Sequence, residues 1–552
     1  MVRSTIKDKI CGKVLSMLIA SAASLTVFGG CSGTQQKTTG TKGSDSTTVV
    51  SLSIPDHPPL IDTMIYGEML EDCNDQIIYG GVVNKDGSER PAVDELIKPL
   101  RIPVVRWPGG TYSLEYHWEN AVGPLDKRPV TEDYAWKGTD NNRFGTDEFI
   151  RWCQQMGAEP YINFNMGNIP PYGGTLKEAL DWVEYVNGSV ETVYGKKRAA
   201  NGHKAPYDVK YWGIGNENYG PWGRHKKESD TAYADKLYQW AGAIRSRYSD
   251  LQLLAVGHSY NWDKTVLDKC GSLIDLLTQH YYVTSKLRDD KVETPERSLF
   301  APAKMEAHLQ RLGGLVSKIN QKLNREDHPI RLCVDEWDNR HNVYTGEKYE
   351  FTRQDARRQF DVAVVAGMLN VFIRQSPEVG MANYIFPVNG HGLIRSVGDT
   401  GAYRAAIYYV FEQYSRWMTG EKLDATIEGP GLSASAIKFY LDGDASEQDL
   451  GDAKLTYIDV SAVRGSNGTI TAALVNRSAD HARMVRVNVP ADYVATVKWM
   501  LVSNDINAAN TAEDRNNIKP VQQRVKRMKK SIQVTIPPCG LYLIRFEKAA
   551  AQ

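Results

Sequence analysis

Between residues 61 and 390, eight short apolar runs alternate with helix-type stretches, and this alternation limits the fold more than any other feature. The runs are Met64–Glu68, Ile102–Trp107, Glu159–Phe164, Val209–Gly215, Gln252–Gly257, Ile274–His280, Arg331–Asp335 and Met381–Phe386. Eight strands, each followed by a helix, predict an α/β fold of the closed (β/α)8 barrel type, a TIM barrel, with its functional groups at the carboxyl ends of the strands. The intervening stretches fit. Thr146–Met156 puts Phe149, Ile150, Cys153 and Met156 on one helical face, and Phe360–Ile373 is apolar enough for a buried helix. A chain of 552 residues exceeds one hydrophobic core. After residue 400 the pattern changes to alternating strands at 470–475, 484–489, 497–502, 532–536 and 541–546, which predicts an all-β sandwich. The expected division is a barrel over 51–395 and a C-terminal sandwich over 396–552, and we expect the sandwich to brace the barrel.

Residues 1–31 read as an export signal. Arg3, Lys7, Lys9 and Lys13 form a basic region, Val14–Phe28 an apolar one, and Phe28-Gly29-Gly30 leads to Cys31. The pattern is that of a bacterial lipoprotein signal with Cys31 as the lipidated residue; a plain secretory signal is the alternative. The apolar run is too short for a membrane span. Residues 32–50, rich in Ser, Thr, Gly and Lys, predict a flexible tether, which places the protein lipid-anchored in the cell envelope. Removing residues 1–30 takes away four basic residues and one acidic one, leaving 62 against 65. That balance, without a basic block or a phosphate-binding glycine loop, argues against nucleic acid as a partner. Cys73, Cys153, Cys270, Cys333 and Cys539 show neither paired nor metal-type spacing, so at least one free thiol is expected, with Cys153 and Cys333 buried.

Two glutamates stand out, each directly after a strand-type run and beside aromatics. Glu217 lies in Tyr211-Trp212-Gly213-Ile214-Gly215-Asn216-Glu217, and Glu336 follows in Val334-Asp335-Glu336-Trp337. Glycoside hydrolysis needs two carboxyls flanking the scissile bond, one to donate a proton and one to attack or to activate water. Burial beside Trp212, Trp222 or Trp337 would raise a carboxyl pKa, which suits the acid, and the Gly-Asn-Glu turn would let the backbone approach a ligand. The 29 Tyr and 12 Trp suit sugar stacking and a large aromatic core equally well.

Six segments in register then carry a family resemblance. They are Ile65-Tyr66-Gly67 with Glu71; Arg106-Trp107-Pro108-Gly109-Gly110; Tyr116-His117-Trp118; Asn142–Phe149; Tyr211–Gly223; and Asp335-Glu336-Trp337. In these the chain resembles glycoside hydrolase family 51, dominated by α-L-arabinofuranosidases. The resemblance implies a retaining double displacement with Glu217 as acid/base and Glu336 as nucleophile. It further implies that Asn216 bonds the sugar 2-hydroxyl, Glu71 grips the furanose hydroxyls and Tyr282 stands beside the nucleophile. Arg106 is expected to support the carboxylates. His280 is either a ligand contact or a hydrogen-bonded histidine closing strand six. Thr111 stands where many members carry Asn or Cys, Phe386 where a glutamine is frequent, and Asp338-Asn339-Arg340 replaces an Asn and a later Trp. No metal or organic cofactor is implied, and homo-oligomers are common in the family. The expected partners are arabinose-containing polysaccharides and oligosaccharides, trimmed from their non-reducing ends. Endo-glucanase or β-xylosidase activity, and a non-catalytic glycan-binding surface lipoprotein, are the alternatives.

Overall fold

The computed structural model describes residues 47–549, apart from 74, 526–530 and the Asp444 side chain. The lipoprotein signal, Cys31 and residues 32–46 of the expected tether therefore lie outside the described residues.

Eight parallel strands close into a barrel: β1 (Gly67–Met69), β2 (Val104–Trp107), β3 (Glu159–Phe164), β4 (Tyr211–Ile214), β5 (Gln252–Ala255), β6 (Leu276–Arg288), β7 (Arg331–Tyr344) and β8 (Val379–Tyr384). Each pairs with the next, and β8 returns to β1 through Asn383↔Gly67 and Tyr384↔Glu68. All eight expected runs lie on these strands. The first is displaced, because the Asp62 side chain accepts a hydrogen bond from the Met64 amide (3.1 Å) and winds Thr63–Tyr66 into a 3-10 turn before the strand begins. Val104, Tyr161, Leu254, Leu276, Cys333 and Met381 fill the barrel interior. A helix follows every strand, the eighth being Tyr408–Trp417. The barrel thus runs past the expected boundary at 395, since this last helix covers the seam, with Phe411 stacked 5.8 Å from Trp337 and the Tyr66 hydroxyl donating to the Met418 carbonyl (2.5 Å).

Ten of the remaining strands, in sheets of four and six, pack around a separate core that includes Val50, Ile458, Leu474, Val487 and Ile544. The expected sandwich strands are all present, but the domain does not begin at 396. Thr48–Ser53, assigned from sequence partly to the tether and partly to the barrel, inserts between Asp424–Glu428 and Arg483–Asn488 of the smaller sheet. Its alternating buried residues explain the placement: Val50 and Leu52 point into the core while Ser51 and Ser53 do not. The apolar helix Gln359–Arg374 lies between barrel and sandwich, buried along nearly its whole length. Two of its polar side chains bond to the sandwich, Gln359 donating to the Cys539 carbonyl (2.8 Å) and Asn370 to Asp459 (2.7 Å). The exposed large apolar side chains described in the sandwich are Met484 and Val521.

One excursion changes the barrel mouth. Leu441–Asp442 pairs antiparallel with β6 at Val283 and Tyr282, and brings Asp442, Gly443 and Ala445 to the cavity there. All five cysteines named above are unpaired and buried. Among the described residues no helix is long and apolar enough to cross a membrane.

Candidate active site

Every strand that carries a proposed site residue delivers it to one end of the barrel. Glu71 follows β1, Arg106 lies in β2 with Thr111 just beyond it, Asn216 and Glu217 follow β4, His280 and Tyr282 lie in β6, and Glu336 lies in β7. The cavity at this end holds about 620 Å³, and its walls include Glu71, Thr111, Glu217, His280, Tyr282 and Glu336. Asn216 is buried just behind that surface.

Local backbone chemistry sets the two carboxylates. The turn after β4 uses Gly215 at φ +95°, where a Cβ would lie 2.3 Å from the Asn218 Oδ1. The turn itself therefore calls for glycine here, through both its left-handed backbone and the Asn218 side chain. Glu217 also occupies the left-handed region, at φ +41°. Such a conformation costs a non-glycine residue about 1–3 kcal/mol, and here the side chain is held by two hydrogen bonds, from the Tyr219 hydroxyl (3.0 Å) and His280 Nδ1 (2.8 Å). At position 110 a Cβ would come within 2.6 Å of Glu336 Oε1, so Pro-Gly-Gly lets one loop pass directly beneath the second carboxylate.

Arg106 joins the anionic groups. Its Nη1 donates to Glu336 Oε1 (2.8 Å), its Nη2 to Asn216 Oδ1 (2.6 Å), and its Nε lies 3.3 Å from Asp335. The guanidinium is 1% exposed, so removing it would take a buried cation from two buried carboxylates and leave them to His280, Tyr161 and Tyr282. The bond from Arg106 also orients the Asn216 amide, whose Nδ2 is buried with no protein partner. Tyr282 donates its hydroxyl to Glu336 Oε2. His280 is more than a strand terminus: it stands 2.8 Å from Glu217, 3.2 Å from Asp335 and 3.5 Å from Glu336.

The charges follow from these contacts. Burial disfavours the His280 imidazolium, but Glu336, Asp335 and Glu217 outweigh it and push its pKa up to about 10. Burial alone would raise Glu217; the hydrogen bond and charge of His280 reverse this and hold it below the usual carboxylate range. The expected raised pKa of the acid is therefore absent. Of the three tryptophans named for that burial only Trp222 lines the cavity: Trp212 stacks on Phe164 (5.0 Å), and Trp337 packs against Phe372 (5.0 Å) and Tyr384 (4.9 Å), away from it. Trp337 follows Glu336 on a strand and so points to the opposite face. Glu71 is pushed up to about 7 by burial and by Glu336, against hydrogen bonds from the Tyr112 amide (2.9 Å) and Trp136 Nε1 (3.1 Å).

Among the described residues, Glu217, His280 and Glu336 form the cluster with metal-ligand chemistry, one atom of each lying within 4.8 Å of the others. The His280 ring lies within hydrogen-bonding distance of both Glu217 (2.8 Å) and Asp335 (3.2 Å), a set of contacts suited to proton handling. Asp335, Tyr219, Trp136, Phe351 and Arg353 also belong to the site or its walls. Asp335 adjoins Glu336 in sequence and Tyr219 lies two residues after Glu217 in the same segment; Trp136, Phe351 and Arg353 come from hairpins whose destination no local pattern reveals.

A closed β/α barrel with two carboxylates at its carboxyl end, an arginine beneath them and an aromatic-lined cavity defines a glycoside hydrolase. Comparison with known proteins narrows the class. Residues 96–297 match the family described as alpha-L-arabinofuranosidase 1 domain, and 335–539 the alpha-L-arabinofuranosidase C-terminal domain. The chain is 34% identical to a probable alpha-L-arabinofuranosidase C of Aspergillus niger over 78% of its own length and 86% of the relative's. It is 27% identical to an intracellular exo-alpha-L-arabinofuranosidase of Bacteroides ovatus, over 88% and 93%. The thermostable GH51 alpha-L-arabinofuranosidase of Thermotoga petrophila superimposes with a TM-score of 0.76 at 27% identity, covering 91% of this chain and all of that one. The chain belongs to the α-L-arabinofuranosidases of glycoside hydrolase family 51.

Proposed function

We propose that this enzyme releases terminal α-L-arabinofuranosyl residues from arabinan, arabinoxylan or their oligosaccharides by a retaining double displacement. The observation that carries this reading is the proximity of Glu217 and Glu336, whose nearest oxygens lie within 4.8 Å of each other. Retaining pairs stand about 5–5.5 Å apart, whereas inverting pairs leave about 6.5–9.5 Å for a water. In the first step a Glu336 oxygen attacks the anomeric carbon as the glycosidic bond breaks. The bonding pair leaves on the aglycone oxygen, which takes the proton of Glu217. In the second, Glu217 removes a proton from water, whose oxygen displaces Glu336 and frees arabinose.

His280 Nδ1 stands one hydrogen bond from Glu217 Oε1, which gives the first step a route for its proton between ring and carboxylate. Transfer along that 2.8 Å contact produces the neutral acid without any change in the number of protons held. Asn216 Nδ2, oriented by Arg106, suits the 2-hydroxyl, a contact that strengthens as oxocarbenium character develops. Proton NMR of the first minutes of hydrolysis tests the stereochemistry: the α-furanose should form first and then mutarotate. Initial release of the β-anomer would rule out double displacement.

The lipoprotein-type leader supports a lipid-anchored enzyme of the cell envelope, unlike the relative named as intracellular. Expressed with its leader in a bacterial host, the protein should partition with membranes and incorporate labelled palmitate. Cys31→Ser should remove both properties; membrane recovery and labelling equal to the parent would refute the anchor.

A further inference from the structure

The cavity wall formed by the extension of β7 carries two arginines that have no direct part in the cleavage steps above. Beyond the barrel this strand turns back into Tyr349–Thr352, with His341 opposite Thr352 and Asn342 opposite Phe351. Residues 340, 351 and 353 therefore share one face of the hairpin. On that face five side chains alternate as rings and guanidiniums, all lining the cavity. Arg340 lies 3.1 Å from the ring centre of Tyr282 and 5.6 Å from that of Phe351. Arg353 lies 5.0 Å from Phe351 and 4.3 Å from Trp136. Tyr282 and Trp136 in turn donate to Glu336 and Glu71, which ties the wall to the sugar-binding floor.

The two arginines differ in what they have left to offer. Arg353 is engaged by Asp75 (3.0 Å). Arg340 meets Asp338 at 3.7 Å through Nε, too long for a hydrogen bond, and Asp338 is itself bonded to His391 (2.6 Å). Nε of Arg340 is buried without a hydrogen-bond partner. Stacking holds the guanidinium plane in place, while its donors remain available at the rim, where Phe351 is 47% exposed.

We propose that Arg340, stacked between Tyr282 and Phe351, recognises a carboxylate on the aglycone, so that the enzyme favours arabinofuranosyl groups attached to glycans bearing uronic acid. A pre-oriented guanidinium fork matches a carboxylate in bidentate fashion, and charge-assisted bonds of this kind are about twice as strong as those to neutral hydroxyls. Phe351 offers its face to the neighbouring sugar ring. The proposal rests on the cleavage reaction assigned above.

Titration calorimetry on the intact enzyme tests this without turnover, using xylotriose, glucuronosyl-xylotriose and trigalacturonate. At low salt one or both uronate-bearing ligands should bind at least tenfold more tightly than xylotriose. The stronger of the two tells whether the carboxylate is presented on a branch or in the backbone. Arg340→Gln should bring the ratio close to one, and Arg340→Lys should restore part of it; ratios within each variant cancel any general change in the cavity. Equal binding of neutral and uronate ligands by the parent, or a preference that survives Arg340→Gln, overturns the proposal. Failure of the NMR test with an intact uronate preference would instead fault the cleavage mechanism.

Discussion

Glu336→Ala is expected to lower kcat on an aryl α-L-arabinofuranoside by about 10⁴- to 10⁶-fold, the scale at which loss of a covalent nucleophile shows. The leaving group of such a substrate departs easily, so the loss reports on attack at the anomeric carbon rather than on proton donation. The substitution also removes the acceptor of Tyr282 and of one Arg106 donor, but Arg106 retains Asp335 (3.3 Å) and Asn216 (2.6 Å), so the floor of the site keeps its main tie. Circular dichroism and thermal melting should therefore show a folded protein. A variant that turned over at the parent rate would falsify the assignment of Glu336.

Glu217→Ala should divide substrates by the quality of their leaving group. With an arabino-oligosaccharide, whose alcohol needs a proton to depart, kcat/KM should fall about 10²- to 10⁴-fold, the usual contribution of general acid catalysis. With a dinitrophenyl arabinofuranoside the first step should be largely spared, the covalent intermediate should accumulate, and azide should restore turnover. An equal loss on both substrates would argue against an acid role. The pH dependence carries the same logic. Because His280 is pushed up to about 10 and shares its proton with Glu217, the alkaline limb of kcat/KM should lie near that value. In His280→Gln the glutamate must hold the proton alone, and the limb should move to lower pH. An unmoved limb would mean that His280 only positions Glu217.

The barrel could be read from sequence because each strand is a short apolar run followed by an amphipathic or apolar helix, a pattern that depends little on distant contacts. Glu217 and Glu336 could be placed for the same reason, each lying at or just beyond the end of such a run. What escaped was set by long-range partners. Thr63–Tyr66 is apolar enough for strand but is turned by the side chain of Asp62. Thr48–Ser53 alternates like any edge strand, and nothing local reveals that its neighbours lie more than 370 residues away. The low pKa of Glu217 depends on His280, 63 residues distant, and outweighs the burial from which a raised value was expected. Trp136, Arg353 and Asp442 reach the cavity on hairpins and an excursion whose direction the packing of the whole decides.

The position of Thr48–Ser53 has a mechanical consequence. A pull applied at residue 47 enters the molecule through a strand bonded on both sides, to Asp424–Glu428 and to Arg483–Asn488, and loads those two ladders in shear. Many backbone bonds must then give together rather than one after another. Traction from the N-terminal side is borne first by the sandwich, which contains neither Glu217 nor Glu336.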